Sequence, residues 1–445
     1  MAGMSPLTST ARYPLVPLGS SFRVVGAEGV HLRTDDGRDV LDAAGGAIVA
    51  NIGWGRPEVA EAVAAAARRH TYSIPPWSSP ERDELADRLV DRWLPAGLVH
   101  ATFVSGGSES VDAAIRLAVH HHRNAGDPRR TKVLGRSNSY HGVTLSALSV
   151  GGHASRRGPY EAVLGQEAKL PSISDHRFDP DAPPTAEEVR AVLEHEDPST
   201  VAALIVEPIT GSAAGVVSPP PGELAALRKL CDETGIFLIA DEVMSGFGRS
   251  GVRFGVDHEG VRPDIMVGGK GLAGGYAPMG GVYASDEVVA PLAEAGEPLF
   301  FYTFSGHPPS CAAADAVLRI MEEEELVDRS AQLGDVLESL LTDALGEHAN
   351  VAQIRVRGLW AGVEVAADPD GTPFPEAARV VDRIVAAGLE RGVFYYPAGR
   401  GGAVRDTVMI GPAFTITELD LERLSSVLVD SIDAAVADAQ AGAPA

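Results

Sequence analysis

The stretch that most constrains this chain runs from Ile236 to Tyr276. An apolar run, Ile236-Phe237-Leu238-Ile239-Ala240, stops abruptly on two carboxylates, Asp241 and Glu242. A second run, Ile265-Met266-Val267, stops on Gly268-Gly269-Lys270. Runs this short and this apolar suit strands buried on both faces of a parallel sheet. Ligands of such sheets gather at the carboxyl ends of the strands. The stretch therefore sets an acid and an amine at the ends of two strands that can be neighbours.

Lysine is scarce enough here to make the amine informative. The chain has 37 basic residues, Lys and Arg together, yet only four are lysines: Lys132, Lys169, Lys229 and Lys270. Lys132 opens a strand, Lys169 falls in a polar loop, and Lys229 follows Arg228 on a helix. Only Lys270 stands among glycines after an apolar strand. An acid and an amine so placed match one chemistry, pyridoxal phosphate held by a lysine Schiff base with a carboxylate on its ring nitrogen. A phosphate site is expected too. Ala101-Thr102-Phe103-Val104 reads as a strand, Ser105-Gly106-Gly107-Ser108-Glu109 as a turn, and Val111 to His122 as a helix. Free backbone N–H groups and the helix dipole at such a turn face an anion, although the turn alone could equally be a tight connection.

Strands alternating with helices from about residue 100 to 285 predict a doubly wound α/β domain. Before it, Phe22 to Val30 and His31 to Leu41 read as a meander with a turn at Asp35-Asp36-Gly37. The segment from Asp42 to Trp54 is so rich in Gly and Ala that its backbone can approach something closely. Helices are expected from Arg56-Pro57 onward and from Glu81 to Trp93. After it, helices Pro309 to Glu325 and Val327 to Leu345 lead to a smaller α+β part. Its strands are Arg355 to Val365, Gly392 to Tyr396 and Thr407 to Ile410, closed by a helix from Glu418 to about Ala437. With 445 residues there is material for a large core.

The net charge of -24 argues against nucleic acid or an anionic membrane as partner. Cys231 and Cys311 lie in apolar helical contexts and read as buried free thiols, with no metal spacing. With no long apolar run and a polar start, the expected location is the cytoplasm.

Six pieces of text then carry a family likeness: FVSGGSESVDAAIRLA (103–118), SYHG (139–142), EPITGSAAGVVSPP (207–220), IADEVMSGFGRSG (239–251), PDIMVGGKGLAGGYAPMGG (263–281) and YTFSGHP (302–308). In this order and spacing the chain resembles the class III aminotransferases, the ω-transaminase branch of the fold type I pyridoxal-phosphate enzymes. Arg357-Gly358 and Gly411-Pro412-Ala413-Phe414 look like its C-terminal landmarks. The resemblance implies a large domain with a mostly parallel, doubly wound sheet and a smaller α+β domain built from N- and C-terminal segments. The corresponding divisions are 1–57, 58–308 and 309–445.

The resemblance also implies roles. Lys270 would bind the cofactor covalently and move the proton, and Asp241 would bind the ring nitrogen. Gly107 and Ser108 would hold the phosphate, joined by Thr303 from the other subunit of a homodimer, which could pair into a tetramer. Tyr140 would stack on the ring with His141 beside it. Glu207 would stand near Asp241 and the cofactor hydroxyl, and Val243 would cover the other ring face. Arg249 reads as a structural salt bridge. Phe22, Trp54 and Trp77 would wall the substrate side, and Arg400 or Arg405 would receive a substrate carboxylate, with Arg400 preferred.

The expected reaction is a ping-pong aldimine/ketimine transfer from an amine or amino acid to a 2-oxo acid, pyruvate above all. Within the family, a decarboxylating dialkylglycine-type enzyme and an aminomutase or racemase share the same cofactor residues. Outside it, a nucleotide-binding regulatory protein would use Gly106-Gly107-Ser108 for a pyrophosphate, but it leaves Lys270 without a purpose.

Overall fold

The computed structural model describes residues 23–173, 185–296, 301–399 and 406–442. Phe22, Arg400 and Arg405 lie outside the described residues. The chain opens with the expected meander, β1 (Val24–Glu28), β2 (His31–Thr34) and β3 (Asp39–Asp42). Gly37, at φ 84°, closes the β2–β3 turn by donating to Thr34 O at 3.1 Å.

The central sheet comprises β4 (Leu98–Val104), β5 (Lys132–Gly135), β6 (Val201–Val206), β7 (Phe237–Asp241), β8 (Ile265–Gly268) and β9 (Gly280–Ser285), in spatial order β4-β9-β8-β7-β6-β5. Strands β5 to β8 run parallel, and β9 is antiparallel to both of its neighbours. Every residue of β6, β7 and β8 is buried.

The pleat sorts these side chains between two cores. Leu204, Val206, Leu238, Ala240 and Met266 join one. Ala203, Ile205, Ile239, Ile265 and Val267 join the other. Helices Glu223–Thr234 and Pro308–Glu323 cover the first core through Leu227, Leu230 and Val317. Helices Gly107–Asn124 and Asp286–Ala295 cover the second through Val111, Leu117, Val288 and Leu292. A strand between two helical layers has no wet face, which is why these runs read as continuous apolar text. Truncating one such residue, Ile239→Ala for instance, would cost about 2–5 kcal/mol in so close-packed an interior.

Beyond the sheet come β10 (Val351–Val356), β11 (Ala361–Val365), β12 (Val393–Phe394), β13 (Tyr396–Ala398) and β14 (Thr407–Ile410). Four of them form an antiparallel sheet, β10-β11-β14-β13, while β12 joins β3 in parallel with Val393 opposite Leu41. The two ends of the chain thus share one sheet. The last helix, Glu418–Gln440, starts at a reciprocal cap: Thr417 Oγ1 accepts from Asp420 N–H at 3.1 Å, and Asp420 reaches back to Thr417 N–H.

Two expectations change. The segment Arg355 to Val365 is a hairpin and not one strand, because Gly358 reverses the chain at φ 57° where a Cβ would meet Gly251 N. The helix expected from Glu81 to Trp93 ends at Arg88 and widens into a π-helical turn, Leu89–Trp93. There Trp93 packs on Phe247 and its Nε1–H donates to Glu322 at 2.8 Å. Both cysteines are buried, which pushes their thiols up to about 12. Among the described residues no helix is long and apolar enough to cross a membrane.

Candidate active site

Strands β7 and β8 are adjacent, with Asp241 opposite Val267, so the acid and the amine emerge at one edge of the sheet. Asp241 and Glu242 then part company. Glu242 serves the following loop: it accepts from Ser245 Oγ at 2.6 Å, Gly255 N–H at 2.9 Å and Val256 N–H at 2.8 Å. Burial pushes its carboxyl up to about 7.

Asp241 faces a cavity. Its Oδ1 accepts from Val243 N–H at 3.1 Å, and its Oδ2 lies 2.7 Å from His141 Nδ1. A carboxylate only accepts, so Nδ1 carries the proton of that bond. His141 is buried, and its Nε2 has no hydrogen-bond partner among the described residues. Sequence reading set His141 beside the stacking aromatic; the structure gives it a bond to Asp241.

Lys270 follows β8 with a backbone φ of 41°, a region that non-glycine residues rarely occupy. Its Nζ donates to Ala47 O at 2.8 Å. Burial pushes its ammonium down to about 8, against the pull of Asp241 and Glu207. Lys169 is also pushed down to about 8 by burial, but it is bound to Val150 O at 3.3 Å and does not line this cavity. Geometry therefore singles out Lys270 where acidity alone does not.

Glu207 ties the Tyr140 loop to the end of β6, accepting from Tyr140 N–H at 3.0 Å and from Gly211 N–H at 3.1 Å. Burial pushes it up to about 7. Tyr140 is half-buried, and Arg156 Cζ sits 4.7 Å from its ring centroid.

The helix expected from Val111 begins earlier, at Gly107, and among the described residues no side chain caps it. Its first N–H groups are thus available to an anion. A Cβ on Gly107 would stand 2.9 Å from Val243 Cγ1, so a larger residue has no room there. Ser108 Oγ accepts from Val143 N–H at 3.1 Å, which draws the 139–144 loop over the helix start.

Together these residues enclose a cavity of about 160 Å³ lined by Gly107, Ser108, Tyr140, His141, Gly142, Glu207, Asp241, Val243, Met244 and Lys270. Sequence reading had not singled out two of them. Gly142 had its signal in the SYHG text, and Met244 had none beyond its place after Asp241. A wider cleft of about 590 Å³ is rimmed by Asp91, Glu322, Glu325 and Asp328, and contains neither lysine nor glycine turn.

Of the residues expected on the substrate side, neither Trp54 nor Trp77 lines the cavity. Trp54 donates from Nε1 to Asp42 Oδ2 at 3.0 Å, and its ring packs beside Gly46 and Gly275. Trp77 is 64% exposed, and Thr303 is exposed in a turn. Arg249 is structural, but through carbonyls and not a salt bridge. Its guanidinium donates to Leu359 O at 3.0 Å, Pro412 O at 2.7 Å and Ala50 O at 2.6 Å, and lies over the Phe414 ring. Without a carboxylate bonded to it, burial pushes it down to about 9.

Parallel strand ends carrying an acid and an amine, with an uncapped helix start beside them, define a fold type I pyridoxal-phosphate enzyme. Residues 19–432 match the family described as aminotransferase class-III. An uncharacterized aminotransferase of Schizosaccharomyces pombe is 36% identical over 428 residues, 93% of each chain. The β-alanine–pyruvate aminotransferase of Pseudomonas aeruginosa is 34% identical, covering 92% of this chain and 91% of its own. Among solved structures, an (S)-enantioselective ω-transaminase from Thermomicrobium roseum superposes with a TM-score of 0.86 at 33% identity, over 98% of this chain and 96% of its own. The chain belongs to the class III aminotransferases.

Pyridoxal phosphate is the cofactor of this family, and the cavity fits it. Lys270 would supply the amine, Asp241 a carboxylate held by His141, and the helix start at Gly107 a phosphate cradle that a Cβ would fill. When bound, the cofactor supplies an electron sink for the substrate carbanion.

Proposed function

We propose that this aminotransferase moves an amino group from an amine or amino acid to a 2-oxo acid, pyruvate, in a ping-pong cycle. The observation that carries the reading is the convergence of Lys270 and Asp241 on one cavity beside an uncapped helix start. An amine poised near 8 can both hold and release a proton close to neutral pH, so Lys270 is the group that carries the proton from the donor carbon. Asp241, oriented by His141, would stabilise positive charge on the cofactor ring, and Tyr140, anchored through Glu207, and Val243 would hold that ring between them. The name of the Pseudomonas relative supports pyruvate as acceptor.

The reading includes a homodimer. Tyr72, Trp77, Phe301 and Phe304 are all exposed, more aromatic surface than a solitary chain normally leaves in water. Thr303, in the same exposed turn as Phe304, would reach the phosphate end of a second copy. Phe22 and an arginine, Arg400 before Arg405, would complete the substrate side. The parallel pairing of β12 with β3 supports a small domain drawn from residues 1–57 and 309–445 around a large domain at 58–308. The two free buried thiols support the cytoplasm as its location.

A donor amine labelled with heavy nitrogen, incubated with the enzyme and pyruvate, tests the reaction. Label recovered in alanine supports it. Release of carbon dioxide from the donor, or turnover without consumption of pyruvate, rejects it in favour of the decarboxylating or isomerising relatives.

A further inference from the structure

The acceptor of Lys270 Nζ, the carbonyl of Ala47, belongs to an unusually constrained turn. Gly45, Gly46 and Ile48 have φ of 54°, 69° and 56°. For a β-branched residue such as Ile48 this conformation persists only where the surroundings impose it. A Cβ on Gly45 would stand 2.8 Å from Gly411 O, so the turn is packed from outside as well.

Asp42 holds the turn from within. Buried at the end of β3, it accepts from Gly46 N–H at 2.8 Å, Ala44 N–H at 3.2 Å and Trp54 Nε1–H at 3.0 Å. The same segment grips the backbone just after the lysine. Asn51 Nδ2 donates to Gly271 O at 2.8 Å, and the Tyr276 hydroxyl donates to Gly53 O at 2.6 Å. The Trp54 ring lies between the two parts: a Cβ on Gly46 would be 3.6 Å from it, and one on Gly275 3.2 Å.

We propose that residues 42–56 form a dock for the reactive amine, in which the Ala47 carbonyl orients Lys270 Nζ and Asp42, Trp54 and Asn51 act as positioning residues. The proposal rests on Lys270 being the proton carrier of the proposed function. A carbonyl accepts from the amine in either protonation state and favours the ammonium. With one N–H committed to Ala47, the rest of the nitrogen, lone pair or transferable proton, is left to face the cavity. Asp42 and Trp54 touch no reacting atom and act only by fixing where that carbonyl stands.

Trp54→Phe keeps the packed ring and removes only the indole donor; Asp42→Asn disturbs the turn more strongly. The first readout needs no turnover. The full chain, stripped of cofactor, is reductively methylated across a range of pH. The midpoint of modification at Lys270 is then read by mass spectrometry, with Lys132, Lys169 and Lys229 as internal references. In Trp54→Phe the Lys270 midpoint falls by about half a unit or more while the reference lysines hold, because the Ala47 carbonyl is no longer held against the ammonium.

In the loaded enzyme, kcat falls about tenfold, KM for the donor stays within about twofold, and the isotope effect from deuterium on the donor carbon rises. A Lys270 midpoint that stays or rises in Trp54→Phe, with an unchanged isotope effect, overturns the proposal and leaves the segment a purely structural support. Should the transaminase reading itself fail, the alanine labelling is lost while the methylation midpoints still report on the dock, so the two failures are distinct.

Discussion

The two sides of the cavity are built in different ways. Lys270, Asp241, Glu207 and the Gly107 turn stand at the ends of β8, β7, β6 and β4, strands packed between helical layers. Strands β6, β7 and β8 are buried along their whole length. On the proposed reading, the facing side would draw on Trp77, exposed in the single chain, and on Phe22, Arg400 and Arg405, which lie outside the described residues. The difference teaches where a scaffold can vary. Chemistry common to every substrate sits where the fold is stiffest, and selection among substrates sits in loops that can change without disturbing the core.

Substitutions on the two sides should therefore fail differently. Lys270→Ala removes both the covalent anchor and the proton carrier, and kcat should fall by about 10⁴-fold or more with every donor. Asp241→Asn keeps the shape but loses the charge, with an expected loss of about 10²-fold in kcat, again the same for all donors. If either loss depended strongly on the donor, the division between the two sides would break down.

Gly107→Ala sets a Cβ against Val243 at the phosphate end. It should weaken cofactor binding about tenfold in a fluorescence titration of the stripped enzyme, while kcat at saturation changes little. Trp77→Ala should leave the thermal midpoint nearly unchanged, since the side chain is exposed. It should shift the monomer–dimer balance in sedimentation and change KM by a few fold, unequally among donors.

The smallest effect concerns the far end of the helix that starts at Gly107. His121 Nδ1 lies 3.0 Å from Val288 O and His122 Nε2 3.0 Å from Ala202 O, and both rings pack on Phe237. Burial lowers both histidines from their ordinary value. The unfolded chain then takes up protons first as the pH drops. Their contribution is whole above about pH 6.5 and is lost below it, towards the depressed folded values. The fall in thermal midpoint between pH 7.5 and 5.5 should be smaller in His122→Phe than in the parent, by about one degree or less in a chain of this size.

Much of the stiff side was readable from the chain alone. Ile236–Ala240 and Ile265–Val267 announce buried strands because no polar residue interrupts them, and Lys270 emerges from a count of four lysines. What escaped was set by tertiary contacts with no local signature. The bond from His141 to Asp241 joins residues 100 positions apart, and that from Lys270 to Ala47 spans 223. The second uses a backbone carbonyl, which every residue possesses. The Gly and Ala content of 42–54 signalled a close approach without naming its object. Trp54 was expected on the substrate side from the family resemblance, but only the fold reveals the bond from its indole to Asp42. Arg249 invited a carboxylate partner, whereas three carbonyls, invisible in side-chain text, satisfy it. The antiparallel course of β9 is likewise unmarked, since GGVYAS reads the same in either direction of pairing.

The central claim is that Lys270 is the amine that binds the cofactor. Borohydride reduction of the enzyme loaded with pyridoxal phosphate, followed by peptide mapping, tests it most directly. The account predicts a single covalent mark on the peptide containing Lys270, and none in Lys270→Ala. A mark on Lys132, Lys169 or Lys229 in the parent, or one that survives in Lys270→Ala, would contradict it.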